Sequence, residues 1–119
     1  MTTTTEAIDW QISLERSNHR SDLAIELLNM LVADLPDYKQ QVQIAYEQND
    51  IPMLKHHLHK LHGSCCYCGV PRLHDIVIST ENCVKQSNAK PTKELMKHLS
   101  DELDAVIQAA KEYIPAATS

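Results

Sequence analysis

Apolar residues recur along the chain at helical spacing, and β-branched residues are scattered rather than gathered into short runs. Asp9 reads as the N-cap of a short stretch that runs through Leu14 and ends near Ser17-Asn18. Ser21 opens the next, with Leu23, Leu27, Leu28, Leu31 and Leu35 on one side. Pro36 either kinks this helix or begins a new one that carries Tyr38, Val42 and Tyr46. Asn49-Asp50 closes the segment, and Asp50 with Pro52 marks the following N-terminus. Ile51, Leu54, Leu58, Leu61 and Cys65 then form one stripe, which Gly69 ends before Val70-Pro71 turns the chain back. Leu73, Ile76, Val77, Thr80 and Val84 make the next stripe, and Ser87 to Pro91 is a polar turn. The final helix runs from about Thr92 to Tyr113, with Leu95, Leu99, Leu103, Val106 and Ala110 inward.

Long helices joined by short turns predict an all-α fold. The expected form is an antiparallel up-down four-helix bundle with an additional short N-terminal helix lying across one end. Residues 1–7 read as a disordered leader or cloning remnant, 8–115 as one domain and 116–119 as a disordered tail. The Thr-rich leader after Met1 suggests a domain excised from a larger protein.

Composition narrows the picture. The chain has 119 residues, 2 of them glycine and none phenylalanine. A sheet protein needs Gly-rich turns and aromatic strands, and a Rossmann or P-loop site needs more glycine than this. A net charge of −5 argues against nucleic acid as a partner. No run reaches membrane-spanning length and no signal peptide is visible, so no direct membrane contact is expected. Of 4 cysteines, three fall in Cys65-Cys66-Tyr67-Cys68, where adjacent helical side chains diverge by about 100°. That arrangement is poor for disulfides and points to a reducing, cytoplasmic setting.

Histidine carries the candidate chemistry. On the third long helix Leu54, Leu58, Leu61 and Cys65 define the core side. His59, His62, Gly63 and Cys66 share a face turned away from it, which Lys55 and His56 extend. His59 is therefore either an ordinary surface histidine or a displayed nucleophile. Gly63 costs roughly 1 kcal/mol against Ala inside a helix, so it implies the close approach of something else. The hairpin turn centres near residue 70, which places Glu81 opposite His59. Glu81 is either a solvated helix charge or an acceptor for the Nδ1–H of His59, leaving Nε2 free to attack. His59, His62 and Cys66 also have spacing suited to a metal ion. One stretch of helix cannot enclose a tetrahedral ion, however, so no functional metal is expected and adventitious binding is the stronger rival. Cys65 and Cys83 read as structural.

The run His59-Lys60-Leu61-His62-Gly63-Ser64, followed by Gly69 and Leu73, resembles the motif of histidine phosphotransfer (HPt) domains. With Cys65, Gly69-Val70-Pro71-Arg72, Asp9-Trp10-Gln11 and Leu35-Pro36, it is most similar to the C-terminal HPt domain of GacS/BarA-type hybrid sensor histidine kinases. The likeness covers about Asp9 to Ile114. It implies a phosphorelay intermediate in two-component signalling. His59 would accept a phosphoryl group from the aspartyl phosphate of a kinase receiver domain and pass it to a response regulator. Gly63 would admit the receiver's loop, with Lys60, His62 and the small Ser64 as supporting residues. Glu81 matches the position where the family often has Gln or Glu bonding the acceptor ring. His62 departs from the general family, which carries Lys there. The resemblance also implies no kinase activity or ATP site in this chain, a cytoplasmic location at the end of a membrane-anchored kinase, no cofactor of its own, Mg²⁺ supplied by the receiver, and a monomer as an isolated domain. A receiver-docking module that is never phosphorylated, and a metal-binding helical protein, are the alternatives.

Overall fold

A computed structural model describes residues 6–113. Five helices follow in order: α1 (Trp10–Arg16), α2 (Ser21–Glu47), α3 (Ile51–Cys65), α4 (Pro71–Ser87) and α5 (Lys93–Tyr113). No strand occurs among the described residues. α2 packs on α3, α3 on α4, α4 on α5, and α5 closes back onto α2. The four long helices thus form a closed bundle, as the spacing predicts.

Local chemistry sets the boundaries. Asp9 accepts from Ile12 N at 3.1 Å, Asp50 from Met53 N at 3.2 Å, and Thr92 Oγ1 from Leu95 N at 3.1 Å. Each cap satisfies one of the backbone donors that a helix start leaves unpaired. With so little glycine, the left-handed positions fall to Asn18, His19, Asn49 and Asn88, at φ between 51° and 62°. Asn tolerates that region better than most residues.

The core is built from the predicted stripes. Leu54, Leu58, Leu61 and Cys65 of α3 are fully buried, in one core with Leu28 and Leu35, Leu73 and Val77, and Leu99, Leu103 and Val106. Some expectations shift at the margins. α2 continues through Pro36, whose ring sits on the solvent side, so the chain does not begin a new helix there. Leu23 and Leu27 lie at the edge of the core, while Ala24 and Ala45 are buried, because small residues let helices approach closely. Ala7, assigned to the leader by the sequence, is buried with Ile8. Residues 1–5 and the expected tail from 116 lie outside the described residues.

Gly69 has a different role from the expected helix stop. α3 ends at Cys65, and neither glycine has positive φ. Instead the backbone of α1 lies on Gly69. Asp9 N donates to Gly69 O at 2.7 Å, and Gly69 N donates to the buried Ser13 Oγ at 2.9 Å. A Cβ at Gly69 would stand 2.8 Å from Ser13 N and 2.9 Å from Ile12 Cβ. Arg16 adds a hydrogen bond to Cys66 O at 2.6 Å. α1 is thereby tied across the α3–α4 turn, the end of the bundle nearest the histidine face.

Candidate functional site

α3 presents His59 outward: its side chain is 76% exposed, one residue after the fully buried Leu58. The rigid packing of Leu54, Leu58 and Leu61 fixes the helix phase, so the imidazole is displayed from a firm base. On α4, Thr80 and Glu81 are both buried, and Thr80 turns its hydroxyl back onto Ile76 O at 2.6 Å. Glu81 is no solvated charge. Its Oε2 lies 3.1 Å from His59 Nδ1 and its Oε1 lies 2.8 Å from His62 Nδ1. Lys85, one turn along α4, reaches Oε2 at 3.3 Å.

Burial by itself would push the Glu81 carboxyl up. The hydrogen bonds from His62, His59 and Lys85 outweigh that cost and hold it below its ordinary value. An ionised carboxylate only accepts, so each neighbouring ring carries its proton on Nδ1. In the neutral ring this leaves Nε2 of the exposed His59 with its lone pair directed to solvent.

Gly63 follows one turn after His59. A Cβ there would meet nothing within 4 Å, so no neighbour inside the chain requires glycine. Beside it runs a groove of about 390 Å³ lined by Leu27, Met30, Leu31, Asp34, Tyr38, Lys60, Gly63, Ser64 and Tyr67. Met30 and Tyr67 expose large apolar side chains on its rim. Ser64 shares a hydrogen bond with the Tyr38 hydroxyl at 3.1 Å and donates to Lys60 O at 3.2 Å, which fastens α2 to α3 at the groove floor. Lys60 is exposed.

Three groups escaped the sequence reading. Lys85 lies one helical turn beyond Glu81, and Tyr38 comes from a separate helix with no motif to flag it. His74 of α4 faces His62 with ring centroids 5.3 Å apart. The mirror rule that pairs His59 with Glu81 about residue 70 also pairs Cys66 with His74. The signal was present in the spacing. Burial, with contributions from His62 and Arg16, lowers the pKa of His74. All four cysteines are free, and burial pushes the Cys65 and Cys68 thiols up to about 12 and about 11.

Comparisons with known proteins agree with the fold. The family model of the Hpt domain matches residues 26–109. The signal transduction histidine-protein kinase BarA of Shigella flexneri is 32% identical over 108 residues, covering 90% of this chain and 12% of the kinase. The sensor protein GacS of Pseudomonas syringae pv. syringae is 34% identical over 92 residues, covering 77% of this chain and 10% of GacS. The chain therefore spans about a tenth of the length of these relatives. The crystal structure of the HPT domain from a hybrid histidine kinase of Shewanella superposes with a TM-score of 0.86 at 34% identity, covering 92% of this chain and 95% of that one.

Proposed function

This chain belongs to the Hpt domain family, and from that premise we propose that it is a phosphorelay intermediate whose acceptor is His59. The observation that carries the reading is the 3.1 Å pairing of an exposed imidazole with a buried carboxylate. The phosphoryl group comes from the aspartyl phosphate of a receiver domain. The Nε2 lone pair of His59 attacks phosphorus, and the Nε2–P bond forms as the bond from phosphorus to the aspartyl oxygen breaks. The carboxylate leaves with the electron pair. The ring keeps its Nδ1 proton, so positive charge develops on the imidazole facing ionised Glu81. The reverse sequence, with the aspartate of a response regulator as nucleophile, returns His59 to its starting state.

Holding the ring in one tautomer and orientation is chiefly a proximity effect. Mg²⁺ and the cationic clamp on the phosphoryl oxygens belong to the receiver in this reading, and the chain has no kinase activity of its own. The open space at Gly63 admits the receiver's loop, and the adjoining apolar groove receives its docking surface. His62 shares Glu81 with His59 and braces the carboxylate, which is a different use from neutralising phosphate. Time courses of label passing from a phosphorylated receiver to this chain, and on to a second receiver, test the reading. A chain that binds receivers yet never acquires label would be a docking module.

A further inference from the structure

Beside His59 lies a second constellation, which shares His62 with the phosphotransfer site and adds two residues, Cys66 and His74, that phosphotransfer does not use. One ring nitrogen each of His62 and His74 and the Sγ of Cys66 all lie within 4.8 Å of one another. Two helices contribute, so the objection that a single helix cannot enclose an ion no longer applies. We propose that His62, Cys66 and His74 form a binding site for a borderline divalent transition-metal ion of the zinc type.

Each ligand is prepared for this role. His62 gives its Nδ1 to Glu81, which leaves Nε2 for an ion. A carboxylate behind a histidine ligand is the usual outer-shell device for fixing the ring and raising its basicity. Nε2 of His74 is buried without a hydrogen-bond partner, a state that a coordinate bond relieves. Cys66 is exposed and its Sγ makes only a weak 3.4 Å contact to His62 O, so the thiol is free to swing. Arg16 clamps the Cys66 carbonyl and fixes the backbone from which it swings.

Two imidazoles and a thiolate suit Zn²⁺, whose bonds of about 2.0–2.3 Å place tetrahedral ligands roughly 3.3–3.7 Å apart. Closing the cluster needs rotations that move its atoms by about an ångström. Coordination replaces the S–H bond with an S–metal bond and releases that proton to solvent. The resulting thiolate, with Glu81 behind His62, offsets the charge of the nearby Arg16. Water completes the coordination.

The test is titration of the tag-free, reduced chain with Co²⁺, followed by absorption, and then displacement with Zn²⁺. The expected result is a thiolate-to-cobalt charge-transfer band that saturates at one ion per chain and is abolished by Zn²⁺. Cys66→Ser should lose the band, and His74→Gln should weaken binding at least about tenfold. Substituting the exposed His56 on the same helix should change neither. Cys66 is exposed, so its variant stays informative should His74→Gln fold poorly. A wild-type chain without the band, or His74→Gln and Cys66→Ser binding as tightly as wild type, overturns the site and leaves adventitious histidine binding. Metal affinity is read without a receiver domain, so failure of phosphotransfer at His59 would leave this result standing.

Discussion

Nδ1 of His59 lies 3.1 Å from Oε2 of Glu81, joining an exposed ring on α3 to a carboxylate buried in α4. The carboxylate does not depend on His59 alone, because His62 and Lys85 also bind it. Glu81→Gln keeps a hydrogen-bond acceptor for the ring and should retain measurable transfer. Glu81→Ala frees the ring to turn and should slow transfer by up to about 100-fold, the scale of a misplaced nucleophile. Equal rates for Glu81→Ala and wild type, measured with one phosphorylated receiver, would remove Glu81 from the account.

Neighbouring positions on α3 should separate stability from activity. Leu58 is fully buried, and Leu58→Ala should cost about 2–5 kcal/mol in urea unfolding. His59→Ala removes one exposed partner of Glu81 and should cost about 1 kcal/mol or less. Similar losses at both sites would contradict the helical phase described here.

The two glycines should respond in opposite ways. At Gly63 a side chain enters open space, so Gly63→Gln should keep or raise helical stability by roughly 0.5–1 kcal/mol while blocking transfer. At Gly69 a methyl group meets the backbone of α1, and Gly69→Ala should destabilise by roughly 1–3 kcal/mol. Circular dichroism melts paired with transfer rates check both.

Acid should act through three groups in two separate windows. The pKa of His74 is depressed below 6.5 by burial, then by His62 and Arg16. The unfolded chain therefore binds the proton first, and stability falls as pH drops below that value. His57, also lowered chiefly by burial, acts with the same sign. Glu81 is held below 4.5, so its contribution is present above that pH and is lost as pH falls through the depressed value. Urea midpoints of chelator-treated protein should decline between about pH 7.5 and 5, and less steeply in His74→Gln. Parallel profiles would show that His74 is not the responsible group.

The bundle was legible because each stripe repeats at helical spacing, and the His59–Glu81 pair because a hairpin reflects positions about its turn. What escaped depends on the third dimension. Pro36 left two outcomes open, since losing one hydrogen bond on the solvent side of a long packed helix is tolerable. Gly69 looked like a helix stop, and nothing in the residues around it announces that α1 rests on it. The charge state of Glu81 depends on burial and on three donors from two helices. His74 was visible as a residue, and the same reflection pairs it with Cys66, but that it also closes on His62 appears only once α3 and α4 are packed.

The central claim is that His59 carries the phosphoryl group. The most direct measurement is residue-level mass spectrometry at neutral pH, after incubation with a receiver domain charged by an acyl phosphate donor and Mg²⁺. The account predicts one acid-labile phosphoryl group on His59 in the wild type and none on a folded His59→Gln chain. Phosphate on another residue, or equal labelling of His59→Gln, would contradict it.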